Sequence, residues 1–284
     1  MLFRSDCAAC IQTSGTTGAP AWIMLGRQGA VAAERLHARS IGWHADGDRW
    51  LAALPFDHTG GLAVIVRCLV ARQTVVLPAA RHGAALATAL STHACTLASL
   101  VPNQLADLSA GDHDVGRLRA VLIGGAHAPD AQVTDARRRG LPVVTSYGMT
   151  ECWGQVASSW ASPGRLRPLP GVTLTAGASA NLPQPICVAS PAMMIGVVGQ
   201  PAHHGRLHTR DLGWINDDGD LTVVGRTDLA IVTGGHKVQP ELLEARLGRD
   251  HAVWEVCVVG VADPQWGQRF MRWWSGDKQK LHPD

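Results

Sequence analysis

Through the first half of the chain, short apolar runs alternate with stretches of helical composition, and this rhythm restricts the possible folds more than any other feature. RWLAALP (49–55), QTVVLP (73–78), CTLASLVP (95–102), AVLIGG (120–125) and PVVTSYG (142–148) have the length and apolar continuity of short buried strands. GGLAVIVRCLVA (60–71), GAALATALSTHA (83–94), PNQLADLSA (102–110) and PDAQVTDARRR (129–139) fill the intervals with helix-like composition. Strands joined through helices run parallel, because the helix returns the chain to the starting edge of the sheet, so an α/β fold with a parallel sheet is expected. Ligands of such sheets bind where strands end and loops begin, which is where the unusual residues of this chain fall.

The pattern changes after residue 150. Residues 161–185 are rich in Pro, Gly, Ala and Ser, and the runs PICVAS, GRLHT and LTVVG read as shorter strands joined by turns such as Asp217-Asp218-Gly219. This is a β-rich part or sheet edge. A second change falls at GRTDLAIVTGG (225–235), after which PELLEARLGRDH reads as a helix with Pro240 near its start and AVWEVCVVGVAD as one more strand. The expected organisation is a large domain over 1–225 and a small α+β subdomain over 226–284.

Composition narrows the partners. Lys plus Arg exceed Asp plus Glu by 25 − 23 = 2, which gives no electrostatic reason to expect nucleic acid or an anionic membrane. No apolar run approaches the roughly 20 residues of a membrane helix and the N-terminus has no charged-then-apolar signal, so a cytoplasmic protein is expected. The seven cysteines are odd in number and scattered, as reduced thiols are. Cys7 and Cys10 form a C-x-x-C, but no second C-x-x-C or H-x3-H completes a zinc site, and the pair reads as incidental.

Near the start, IQTSGTTGAPAWIM (11–24) concentrates small residues and hydroxyls. Glycines there allow positive φ and close backbone approach, and hydroxyls with main-chain N–H groups can converge on phosphate oxygens. It is not the G-x4-G-K-[ST] loop, since Gly15 and Gly18 are three apart and no Lys-Ser/Thr follows. Alone, the stretch would also suit a Ser/Thr-rich surface turn.

Four further stretches accompany it: IGGA (123–126), SYGMTE (146–151), TRDLG (209–213) and GRTDLAIVTGGHKVQPELLE (225–244). In this order, with TSGTTGAP, they resemble the phosphate loop, adenine-side loop, aromatic-plus-acid motif, ribose motif and hinge of the adenylate-forming acyl-CoA synthetase and ligase superfamily. LPFDHTGGLAVIVRCLVA with TVVGRTDLAIVTGG is most similar to the o-succinylbenzoate:CoA ligases of menaquinone synthesis. The resemblance spans about residues 11–270. It implies a parallel-sheet adenylate-forming core with an incomplete C-terminal subdomain. It also implies ATP, Mg2+ and coenzyme A in two half-reactions: a carboxylate attacks the α-phosphate of ATP, then the coenzyme A thiol displaces AMP.

On that resemblance Thr13, Ser14, Gly15, Thr16, Thr17 and Gly18 match the grip on the β- and γ-phosphates, and Gly124, Gly125 and Ala126 the lining of the adenine pocket. Tyr147, the only tyrosine, fits the ring that stacks on adenine; without GMTE beside it, it would read as a core tyrosine. Thr150 fits an α-phosphate contact and Glu151 the magnesium ligand, although an isolated Thr-Glu would read as a helix N-cap. Asp211 fits the carboxylate that takes both ribose hydroxyls, Arg226 a second ribose or phosphate contact, and Asp228 the pivot of the small subdomain; turn-forming and surface ion-pair roles stand beside these. His58 matches the position beside the acyl carboxylate, or is a satisfied polar residue between strand and helix. Gly234 and Gly235 match the turn brought to the thiolation site, and Lys237 would face the pantetheine or a phosphate of coenzyme A.

Two departures bear on activity. The family's phosphate loop ends in Pro-Lys, whereas Ala21 follows Pro20 here; losing one charge-assisted contact costs on the order of 1.5–3 kcal/mol, about ten- to a hundredfold in rate. Family members also carry a long segment ahead of the loop, where twelve residues precede Thr13, and a C-terminal Gly-Lys segment that the ending WWSGDKQKLHPD lacks. Lys278 and Lys280 have no such context. The resemblance is thus to a family member truncated at both ends. Three readings stay open: a carboxylate:CoA ligase, as a homodimer or completed by another chain; an impaired relative that binds adenine nucleotide; and an interaction protein presenting Trp22, Trp43, Trp50, Trp153, Trp160, Trp254, Trp266, Trp273 and Trp274.

Overall fold

The computed structural model describes residues 5–13, 21–111, 116–247 and 253–276. The chain divides into two compact units, Met1–Leu174 with Val188–Leu207 and Thr175–Cys187 with His208–Asp284.

The first unit is built on a seven-stranded sheet. Its strands Thr74–Val76, Arg49–Ala52, Leu97–Leu100, Ala120–Ile123 and Val143–Met149 follow one another across the sheet and are parallel, as the alternation of runs requires. The helices Thr59–Ala71, Ala84–Thr92, Pro102–Ser109 and Asp130–Arg138 occupy the expected intervals. The period of two along each strand divides the apolar residues between two cores. Leu51, Ala98, Leu100, Val121, Ile123 and Val143 face Leu86, Leu90, Leu105, Leu108 and Val133 of three helices. Trp50, Ala52, Leu97, Leu122 and Val144 face the other way, onto Ile41, Val64 and Cys68.

Beyond Val143–Met149 the sheet continues with Gly154–Ser158 and Arg167–Pro168, both antiparallel, whereas the runs PICVAS, GRLHT and LTVVG, anticipated as a β-rich part or sheet edge, belong to a separate sheet. Sequence patterning also left unread the antiparallel pair Cys7–Gln12 and Trp22–Gly26, joined by Gly196–Val197, and the helix Arg27–Ser40. Gly26 and Gly29 lie inside that stretch; a Cβ on Gly29 would stand 2.9 Å from the indole of buried Trp153, so close packing of helix on ring excludes a larger residue.

The amino ends of the parallel strands are tied by one buried ion pair. Asp48 precedes Arg49–Ala52, Arg119 precedes Ala120–Ile123, and Thr96 precedes Leu97–Leu100. Arg119 donates from Nη2 to Asp48 Oδ2 at 2.7 Å and from Nε to Oδ1 at 3.0 Å, and Thr96 Oγ1 donates to the same carboxylate at 2.5 Å. Arg119 also donates to the carbonyls of Ile41 and Gly42 at 3.2 and 2.6 Å. Burial opposes ionisation of Asp48, but the hydrogen bonds from Arg119, Thr96 and the His44 N–H outweigh it and hold the carboxyl at about 2. With the amino edge fixed this way, the carboxyl edge is left for loops.

In the second unit Leu207–Ile215 and Leu221–Arg226 pair antiparallel around a turn whose Gly219 has φ 83°. A second sheet holds His236–Val238, Ile231–Thr233, Gly267–Gly276 and Val253–Asp263 in that order, with the helix Pro240–Leu247 joined to it by Glu244, which accepts the Val258 N–H at 2.8 Å. The strand Gly267–Gly276 was not read from the sequence.

The tryptophan surface needs correction. Trp50 and Trp153 are wholly buried and Trp43 and Trp160 pack against the core, whereas Trp22, Trp266 and Trp273 are exposed; the side chain of Trp254 lies outside the described residues. The indoles of Trp50 and Trp153 are structural, each N–H satisfied internally, by Ser99 Oγ at 3.2 Å and the Gly26 carbonyl at 3.2 Å.

Candidate active site

Three of the parallel strands of the first unit, Arg49–Ala52, Ala120–Ile123 and Val143–Met149, deliver candidate residues to one edge of the sheet. After Ala120–Ile123 the chain turns through Gly124, whose N–H donates to the Leu100 carbonyl at 3.3 Å, and Gly125, at φ +80°. A Cβ on Gly124 would lie 2.7 Å from Ser146 Oγ, so only glycine brings this turn against the next strand without displacing that hydroxyl. Ile123 is paired with Thr145, which sets Gly124, Gly125 and Ala126 beside Ser146 and half-buried Tyr147. A flat backbone next to an aromatic ring is a surface for a planar base.

Two residues past Tyr147 the strand ends and Thr150–Cys152 forms a single 3-10 turn. Glu151 is therefore in a first turn, though no full helix follows. The turn is held on several sides: Met194 N–H donates to the Glu151 carbonyl at 2.7 Å, Trp153 closes it in the left-handed region at φ 54°, and a Cβ on Gly148 would overlap the Gly154 carbonyl. Burial, with the Glu151 charge beside it, pushes the Cys152 thiol up to about 12. The Glu151 carboxylate is half-buried, and among the described residues no three His, Cys, Asp or Glu side chains gather as a metal site. One carboxylate oxygen donor, completed by phosphate oxygens and water, is the donor set of Mg2+ and not of a metal held by the protein alone.

His58 is the N-cap residue of Thr59–Ala71, exposed, its carbonyl accepting the N–H groups of Gly61 and Leu62 at 3.2 and 3.0 Å. Within the same helix lies a residue that sequence reading passed over. Thr59, Ala63 and Arg67, spaced by four, share one face. All three approach the position where a Gly154 Cβ would be, Arg67 Nη2 at 3.7 Å and Ala63 and Thr59 at 3.9 Å each. The Arg67 side chain is buried, its Cζ 5.9 Å from the Trp50 ring centroid. Arg67 Nε, Thr59 Oγ1 and both amide atoms of Gln155 lack hydrogen-bond partners among the described residues. Burial pulls the Arg67 guanidinium down to about 10. A buried cation whose Nε is unpaired, on the helix face it shares with an unpaired Thr59 hydroxyl, is costly unless something anionic completes it. The available signal was an arginine inside the apolar run LAVIVRCLVA.

Nearby, His37 is fully buried between Trp43 and Trp50, ring centroids 4.6 and 4.7 Å away, with both ring nitrogens unpartnered among the described residues. Burial first, then the charges of Arg67 and Arg119, push its pKa well down, so the imidazole is neutral at neutral pH.

In the second unit Asp211 and Arg226 are directly cross-strand. Arg226 Nη1 donates to Asp211 Oδ1 at 3.2 Å while its Nε and Nη2 fork onto Asp228 at 3.0 and 2.9 Å, and Arg210 reaches Asp228 at 3.2 Å. The ion-pair role weighed for Arg226 and Asp228 is thus present; Asp211 accepts from a guanidinium as well as being a candidate for ribose. Gly234 and Gly235, at φ 55° and 81°, form the two-residue turn between Ile231–Thr233 and His236–Val238, and Lys237 is exposed on that hairpin, in a different sheet from Asp211.

The structure therefore brings His58, Gly124, Gly125, Ala126, Tyr147, Thr150 and Glu151 to the carboxyl edge of one sheet. Thr13 follows the first strand, its N–H and Oγ1 both donating to the Ala21 carbonyl, at 2.9 and 3.2 Å. Ser14, Gly15, Thr16, Thr17 and Gly18, like Lys278 and Lys280, lie outside the described residues.

Comparison with known proteins identifies the family and the fold. Residues 3–196 match the profile of the AMP-binding enzyme family. The 2-succinylbenzoate–CoA ligases of Bacillus licheniformis and Bacillus velezensis are each 32% identical over 93% of this chain, covering 59% and 58% of their own lengths. The chain thus spans about three fifths of the curated relatives it matches. Among solved structures, the o-succinylbenzoate CoA synthetase of Bacillus subtilis in complex with its acyl-adenylate intermediate superposes with a TM-score of 0.85 at 28% identity, over 95% of this chain and 60% of that one. The complex of the same synthetase with ATP and magnesium gives 0.84 at 26%, over 99% and 65%. An amide bond synthetase from Marinactinospora thermotolerans, 24% identical with a TM-score of 0.85 over 98% and 61%, shares the fold.

Proposed function

The chain belongs to the AMP-binding enzyme family, and on that premise we propose that it activates a carboxylic acid with ATP and passes the acyl group to coenzyme A, with an o-succinylbenzoate-like aromatic acid as the favoured substrate. The observation that carries the reading is the gathering of Gly124–Gly125, Tyr147, Thr150 and Glu151 at the carboxyl edge of the sheet, since base, α-phosphate and metal contacts have to be adjacent for one nucleotide to use them all.

In this reading adenine lies between the Gly124–Ala126 backbone and the Tyr147 ring. Thr150 Oγ1 donates to the α-phosphate, and Glu151 holds Mg2+, which when bound supplies positive charge to phosphate oxygens. Thr13 with Ser14 to Gly18 wraps the β- and γ-phosphates, Asp211 and Arg226 hold the ribose, Asp228 is the pivot of the 226–284 subdomain, and Gly234, Gly235 and Lys237 serve the thiol half-reaction. His58 lies beside the reacting carboxylate. Arg67, with Thr59 on the same helix face, supplies the counter-charge for an anionic group on the acid, which explains a guanidinium whose Nε the described residues leave unpaired. A dicarboxylic aromatic acid has one carboxylate to activate and a second for Arg67.

One observation favours a second reading, binding without turnover: Ala21, whose carbonyl closes the base of the loop, stands where the family has lysine. Pyrophosphate release from MgATP with o-succinylbenzoate, with and without coenzyme A, decides between them. Acid-dependent release that falls on the order of a hundredfold in Glu151→Gln, the loss of a charge-assisted contact made in the transition state, supports the ligase; nucleotide binding without release supports the second reading.

A further inference from the structure

Residues three apart in a regular strand point to opposite faces, so the C-x-x-C of residues 7–10 should keep its sulfurs apart. The strand Cys7–Gln12 is not regular. Cys7 stands opposite Gly26, Ala9 opposite Leu25 and Cys10 opposite Met24, so Ala8 is one residue more than the partner strand has. This bulge reverses the alternation and puts both side chains on one face, their Sγ atoms 3.7 Å apart. Cys7 donates to the Ala9 carbonyl at 3.3 Å, leaving its sulfur to accept from Cys10. Burial and then Cys7 raise the Cys10 pKa. Both residues are half-buried.

The remaining cysteines do not compete. Cys68, Cys95 and Cys152 are buried, and burial pushes their thiols up to about 12, 11 and 12. The Cys187 sulfur lies 2.9 Å from His208 Nδ1, and Cys257 is exposed; no other pair of cysteines among the described residues lies within hydrogen-bonding distance. A bonded pair of sulfurs is about 2.0 Å apart, so Cys7 and Cys10 need to approach by less than about 2 Å, which side-chain rotation supplies.

We propose that Cys7 and Cys10 are a dithiol–disulfide couple, a modification site that closes by exchange with a low-molecular-weight disulfide. One cysteine thiolate attacks a sulfur of the small disulfide, forming a mixed disulfide and releasing one small thiolate, which takes up a proton. The second cysteine then gives up its proton and attacks the protein sulfur of the mixed disulfide, and the second small thiol leaves. Two protein thiols are oxidised and one small disulfide is reduced to two thiols. The link forms in the strand whose end places Gln12 opposite Trp22 and is followed by Thr13 bonded to Ala21.

The test equilibrates the full chain with mixtures of glutathione and glutathione disulfide, traps free thiols by alkylation and maps the peptides by mass. The expected result is loss of both alkylatable thiols from the peptide with Cys7 and Cys10, as an internal disulfide, at ratios where Cys257 is still free or carries only glutathione. Cys7→Ser and Cys10→Ser should each leave a single glutathione adduct on the remaining cysteine. The native chain should close at a lower glutathione disulfide ratio than the same chain in urea, because the bulge holds the sulfurs together. Separate adducts on Cys7 and Cys10, thiols that stay free while Cys257 reacts, or closure that is no easier in the native chain than in urea would each overturn the proposal.

Discussion

Replacing Arg67 by methionine should make the ligand-free protein more stable while damaging its use of a dicarboxylic acid. The guanidinium is buried, and burial lowers it from 12.5 to about 10; at about 1.36 kcal/mol per unit the fold pays on the order of 3 kcal/mol to keep it charged. Methionine fills much of the same volume beside Trp50 without a charge to desolvate. Loss of the arginine's attraction to the Trp50 face returns about 1 kcal/mol, leaving a net gain of roughly 1–2 kcal/mol. For a chain of this size that is a rise of several degrees in Tm, at about 2–4 °C per kcal/mol. With substrate the sign reverses. A charge-assisted contact to the second carboxylate is worth about 1.5–3 kcal/mol, so KM for o-succinylbenzoate should rise roughly ten- to a hundredfold, while an aromatic monocarboxylate is used as before. Calorimetry of the ligand-free proteins and pyrophosphate release with the two acids measure both arms. A variant that melts lower and treats the two acids alike would refute the reasoning, because Arg67 would then be a structural cation.

Two other perturbations follow from the same sheet. Arg119→Met leaves the Asp48 carboxylate buried without its partner and should destabilise by about 3–5 kcal/mol in urea titration. In the wild-type chain Asp48 sits at about 2, below its ordinary 3.8, so the unfolded state binds its proton first as pH falls. The pair's contribution, about 2 kcal/mol, is complete above about pH 4 and lost as pH falls through about 2, and this acid slope should shrink in the variant. Gly148→Ala forces a Cβ onto the Gly154 carbonyl and should cost on the order of 1–3 kcal/mol; because the Thr150–Glu151 turn hangs from that pairing, nucleotide affinity should fall further than the loss of stability explains, as isothermal titration with AMP would read.

The parallel order of the core strands was legible because each is a short apolar run with a helix between it and the next, and a helix of that length permits no other direction. Gly124 and Gly125 were singled out by the resemblance of IGGA to a family loop, and the structure shows why glycine stands at 124: a Cβ there would meet Ser146 Oγ. The helix Arg27–Ser40 was passed over because its stretch opens RQGAV, and the glycine that reads as a helix breaker is there to let Trp153 pack. Gly267–Gly276 was missed because its amphipathic pattern is cut by polar residues, and its pairing with Val253–Asp263 is what makes it a strand. Trp50 and Trp153 were misjudged as surface because composition carries no information on which indole finds an internal acceptor.

What the sequence determined by itself was local: the succession of core strands and helices and the order of the family motifs, both of which depend on spacing along the chain. What the tertiary structure alone decided depends on contacts between distant segments. Asp48 and Arg119 are 71 residues apart and become an ion pair only when adjacent strands align. Arg67 acquires its strained charge only where Gly154 closes over the helix. Cys7 and Cys10 meet only because one extra residue opposite Gly26 and Leu25 reverses a side chain, and a bulge belongs to a pair of strands, not to either one.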